Sequence, residues 1–146
     1  MSTTLYDKDF YRWALEQAHY IKTKAFDKLD IEHLFDEVED MGKHEKRELE
    51  NRLEVLLTHL LKWKYQPNLQ SRSWRLTIKE QRSRIKYHLE DNPSLRNHDN
   101  IQKVLSRSYD GAIYSSIKET GLSERTFPQI CEWSLDQILD NEFYPN

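Results

Sequence analysis

At 146 residues, with one cysteine, three glycines and four prolines, the chain is long enough to bury one core without disulfides or a structural metal, and too poor in turn residues for a sheet of hairpins. Cys131 alone excludes an intramolecular disulfide, and no apolar run nears the roughly 20 residues that span a bilayer. The net charge of −3 is unevenly spread: residues 30–54 hold ten acidic and four basic side chains, residues 71–87 six basic and one acidic. The opening "MSTTLYDKDF" has neither the basic start nor the apolar core of a signal peptide, so the cytoplasm is the expected compartment and no membrane is implied.

The expected fold is all-α: a single compact helical bundle of about six helices spanning residues 1–146, with one long central helix. A first helix is predicted from an N-cap at Asp7 to about Ala25, with Phe10, Ala14, Gln17, Ala18, Ile21 and Ala25 facing inward. A second runs from Asp30 to Met41 on a stripe of Ile31, Leu34, Phe35, Val38 and Met41, and Gly42 is placed just past its end. The long third helix, about 43–65, stops ahead of Pro67 because the residue before a proline is pushed out of helical conformation. Helices two and three thus form a hairpin, giving a hairpin core over about 7–66. The basic and C-terminal helices occupy about 71–140. Ser73 is predicted to cap the basic helix, which carries Trp74, Ile78, Ile85 and Leu89 inward. A fifth helix covers about 95–119, and a last one starts with Pro128 near its first position and carries Ile130, Cys131, Leu135, Ile138 and Leu139.

The long helix holds the most informative polar residues. At about 100° per residue, Leu49, Leu53, Leu56, Leu57 and Leu60 share one arc, while Glu45, Glu48, Arg52, His59 and Trp63 lie along its border. A hairpin at Gly42 would bring Glu37 toward Arg52 and His59. A carboxylate, a guanidinium and an imidazole in one half-buried space could perform acid/base work or bind a ligand, or could simply satisfy one another. Glu37, Arg52 and His59 are therefore the catalytic candidates, with Glu48 and Trp63 beside them.

Other motifs fall short. "HEKRE" lacks the second histidine of a zinc-protease helix. "EQAH" has the spacing of a di-iron ligand pair but occurs once where two are needed. No glycine-rich phosphate loop exists, and no metal or other cofactor is implied. The basic helix offers Arg72, Arg75 and Arg82 as interaction residues. Its charge could meet phosphate, but it is expected to face the acidic segment of the same chain.

Three stretches, "LYDKDFYRWALEQA", "LDIEHLFDEVEDMGKHEKRELENRLEVLLTHLLKWKYQP" and "SRSWRLTIKEQRSRIKYHLEDNPSL", resemble the bacterial family called domain of unknown function 29. The later "YDGAIYSSIKETGL" and "TFPQICEWSLDQIL" are similar to its C-terminal pattern, so the resemblance covers nearly the whole chain. It implies a small all-α fold frequent in cyanobacteria and proteobacteria, and supplies no catalytic residues. Three functions are open on these grounds. The first is an interaction or regulatory module binding a protein partner or itself, with Tyr6, Tyr11, Tyr65 and the tail "NEFYPN" as contact candidates. The second is an enzyme or ligand-binding protein using Glu37, Arg52 and His59. The third is a nucleic-acid binder through residues 72–86.

Overall fold

The computed structural model describes residues 4–146. Among these the fold is all-α, with six α-helices and no strand. They are α1 (Leu5–Lys8), α2 (Phe10–Lys22), α3 (Ile31–Tyr65), α4 (Arg72–Asp91), α5 (His98–Thr120) and α6 (Leu135–Leu139). The chain forms two compact units, the first ending at His44 and the second Glu45–Asn146.

In the first unit, short polar side chains fix where helices begin. Thr4 accepts from the Asp7 amide at the start of α1, and Asp9 both ends α1 and accepts from the Arg12 amide at 3.0 Å to open α2. The predicted single helix capped by Asp7 is thus two, broken at Asp9. Asp30 opens α3, taking the Leu34 amide on its carbonyl at 2.9 Å. Only Trp13 and Gln17 of α2 are buried, whereas Phe10 and Ile21, expected to face inward, are about half exposed. Polar and aromatic groups hold this unit instead. The Trp13 indole donates to the Asp30 carboxylate at 3.0 Å, Gln17 Oε1 accepts from the Asp30 amide at 2.7 Å, and the Tyr6 ring stacks on His33 at 4.0 Å.

The hairpin expected at Gly42 is not formed: α3 runs unbroken for 35 residues. A helix-ending glycine must adopt positive φ, and among the described glycines only Gly121, which caps α5 at φ 71°, does so. Gly42 costs its helix about 1 kcal/mol relative to alanine. Strong helix formers continue on both sides of it, and nothing there stops the helix.

In the second unit, the leucine arc of α3 is the core. Leu49, Leu53, Leu56, Leu57 and Leu60 are fully buried and pack with Ile78 and Ile85 of α4, Val104 and Ala112 of α5, and Ile138 of α6. α3 stops at Tyr65 ahead of Pro67, as predicted. α4 opens at Ser71, whose hydroxyl accepts from the Trp74 amide, rather than at Ser73. The largest correction lies near the end of the chain. Pro128 does not begin a helix: its carbonyl accepts from the Tyr109 hydroxyl at 2.7 Å, and the segment after it is irregular. α6 starts at a capping box between Ser134 and Gln137, and Ile130, assigned to an inner stripe, is 81% exposed.

Candidate functional site

Each catalytic candidate has its own neighbours. In the first unit, Glu37 accepts from the Tyr6 hydroxyl, an interaction that pushes the phenol up to about 12. In the second, Arg52 donates from Nε and Nη2 to Glu48 at 3.2 and 3.0 Å, and from Nη1 to Gln81 of α4 at 3.5 Å. His59 lies two turns further along α3 and bonds the Val55 carbonyl at 2.8 Å through Nδ1. With α3 continuous through Gly42, the reversal that was to bring Glu37 toward the other two does not exist.

The polar border of α3 is closed by α4 along its length. His88, a buried residue that pattern reading passed over, places Nε2 2.9 Å from the Glu45 carbonyl and 3.5 Å from its carboxylate, with Nδ1 3.6 Å from Glu48. Gln81 meets Arg52, and the Arg75 guanidinium lies 5.1 Å over the Trp63 ring. His88 stands three residues after Ile85 on the buried face of α4, and that helical spacing could have found it. The part of the acidic segment inside the second unit therefore meets the basic helix through Gln81 and His88.

His59 borders a cleft of about 220 Å³ shared with Glu54, Ser115, Lys118 and Glu119. Donation from Nδ1 to Val55 fixes the tautomer and leaves Nε2 as an acceptor. Burial chiefly, with nearby Lys62, holds the imidazole below its ordinary value and hence neutral near pH 7. Gly111 of α5 lies where an added Cβ would sit 1.7 Å from Glu54 Oε1, so the missing side chain makes room for that carboxylate. A larger cavity of about 620 Å³ beside α5 and Phe127 is lined by no histidine or cysteine. Cys131 is half-buried, its thiol pushed up by burial, which suits an inert packing role.

The charges of α4 are dispersed. Arg82 is buried and bonds the Ile138 and Phe143 carbonyls, Arg84 pairs with Glu80 on its own helix, and Lys86 donates to Asn141. Arg75 is drawn between Trp63 and Tyr144, while Arg72 and Lys79 are exposed.

Histidine titration followed by NMR separates two environments. His33 is held above its ordinary value by its 2.6 Å bond to Asp30, and burial opposes this only in part. Burial alone would raise Asp30, but hydrogen bonds from His33 and Trp13 bring it below its usual range. The expected result is a His33 midpoint above 6.5 and a His59 midpoint below it. A raised histidine stabilises fully below its unfolded value and loses that contribution as pH rises through its folded one. A lowered carboxylate stabilises above its unfolded value and loses that contribution as pH falls through its folded one. The first unit should therefore be most stable between the ordinary values of 3.8 and 6.5. Equal midpoints for the two histidines would refute the geometry.

The remaining surface feature is apolar. Of the fifteen large hydrophobic side chains left exposed among the described residues, nine belong to the first unit, which holds less than a third of the chain. Ile31, Phe35, Val38 and Met41, four of the five residues of the predicted inner stripe of the second helix, are 62–65% exposed, and the fifth, Leu34, is part-buried. A patch of this kind marks an interaction surface more often than chance placement does.

These features define an all-α protein with a leucine-cored second unit, a polar and aromatic first unit, and among the described residues no helix long and apolar enough to cross a membrane. The chain belongs to the family described as Domain of unknown function DUF29, which matches residues 5–144. No curated protein and no solved structure matches it.

Proposed function

We propose that the protein is a cytoplasmic interaction module whose first unit docks a partner surface combining apolar side chains with positive charge. One observation carries this: the stripe of Ile31, Phe35, Val38 and Met41 has the spacing of a core-facing helix and is uncovered. Its charge setting specifies the partner chemistry. Residues 31–42 contain five carboxylates and no lysine or arginine, so a complementary surface supplies Lys or Arg around apolar groups. Tyr11, 74% exposed, belongs to the same unit and remains a contact candidate. Tyr6, Tyr65 and Tyr144 are engaged with His33, Phe127 and Trp63 respectively, which favours a packing role for them.

The test uses two fluorescent amphipathic helical peptides of equal length, one of leucine and lysine and one of leucine and glutamate, followed by anisotropy. The basic peptide is expected to bind at least tenfold more tightly, and Phe35→Asp to abolish its binding. Equal binding of the two peptides, no binding of either, or binding that survives Phe35→Asp would refute the docking role.

A further inference from the structure

We infer that the occupant of the exposed stripe is α4 of a second copy of this chain, in a two-fold dimer in which each copy's first unit lies on the other's α4. This rests on the docking role above and names its partner. The outward face of α4 has the required chemistry. Arg72, Leu76, Lys79, Ser83 and Tyr87 recur at helical spacing, and all are exposed, with Leu76 at 52% and Tyr87 at 65%.

The two faces agree in length and charge. Ile31 and Met41 are ten residues apart on α3, and Leu76 and Tyr87 eleven apart on α4, spans of about 15 and 17 Å at the helical rise. Residues 31–42 carry five carboxylates, of which Glu37 takes the Tyr6 hydroxyl and Glu39 pairs with Lys43, and the outward face of α4 answers with Arg72 and Lys79, since Arg75, Arg82, Arg84 and Lys86 are engaged within the chain. Stripe against stripe would oppose two such acidic segments, a like-charge contact that weakens association. Stripe against α4 matches them.

Area favours reciprocal use of the two faces. A large apolar side chain left two-thirds exposed presents on the order of 100 Å², so four give about 400 Å² on the stripe. A single one-way contact is too small, and repeated head to tail it would build a ring or an open filament rather than a dimer. Used reciprocally, each copy contributes its stripe and its α4, reaching the roughly 800 Å² per partner of a stable interface.

Light scattering coupled to size exclusion tests the full-length chain, with circular dichroism confirming that each variant folds. Wild type is expected to be dimeric at high concentration and Phe35→Asp monomeric. Asp36→Lys with Glu39→Lys should yield monomers, and so should Arg72→Glu with Lys79→Glu. Mixing these two charge-reversed variants should restore a heterodimer, because both of its contacts then pair opposite charges. A wild-type monomer, or a dimer that survives either reversal, overturns the inference. A monomer that still binds the basic peptide overturns the second copy alone and leaves the docking role standing, whereas loss of both overturns both.

Discussion

Replacing Arg82 by alanine is expected to lower the stability of the second unit by about 3–5 kcal/mol and to release the C-terminal tail. Arg82 is 1% exposed, and its guanidinium donates to the Ile138 carbonyl at 2.8 Å and the Phe143 carbonyl at 2.6 Å while lying 5.3 Å from the Tyr144 ring. Truncation strands those two carbonyls at about 1–3 kcal/mol each and opens a cavity. One effect opposes this. A buried cation carries a desolvation penalty that alanine removes, and Nη1 has no hydrogen-bond partner to offset it. The bonds to carbonyls outweigh that penalty because both are charge-assisted and both hold chain far away in sequence. Arg82→Met, which fills the space without donating, should still lose about 2–3 kcal/mol. Urea unfolding followed by tryptophan fluorescence measures both variants, and amide exchange at residues 140–146 reports the tail. A methionine variant as stable as wild type would mean that the guanidinium bonds contribute nothing.

Leu57→Ala is expected to cost about 3–5 kcal/mol, while Phe35→Ala on the same helix should change stability by about 0.5 kcal/mol or less. Leu57 is fully buried, whereas Phe35 is 62% exposed. Removing the leucine forfeits burial and leaves a cavity in packed surroundings. Removing the phenylalanine leaves neither. Paired denaturation curves at a concentration low enough to keep the chain monomeric decide the point, and a large loss at Phe35 there would show that its face is covered within the single chain.

The helices themselves were largely legible. The leucine arc of α3, its stop before Pro67, the entry at Asp30 and the end of α5 at Gly121 all follow from local rules of periodicity, proline geometry and capping. The polar border of Glu45, Glu48 and Arg52 was also visible as a set. Misplaced boundaries had local causes. Gly42 reads as a helix stop by residue type although nothing requires it to take positive φ, and Pro128 reads as a helix start although the capping box lies at Ser134 and Gln137. Interaction, catalytic and nucleic-acid roles were all open in the sequence, since none of them depends on helical content.

The sequence by itself determined that the chain is helical and which face of each helix is apolar, because those properties depend on residues three and four apart. Tertiary structure alone decided which apolar faces are covered, since cover comes from side chains distant in the chain. The Leu57 face receives Ile78, Val104 and Ile138 from α4, α5 and α6, while the Phe35 face receives no comparable shell. It also decided that His88 of α4 stands against Glu45 and Glu48 at the polar border, and that Arg82 answers backbone carbonyls rather than a carboxylate. Two stripes with the same periodicity thus have opposite fates: a helix pattern records what a face prefers, and only the surrounding chain can provide it.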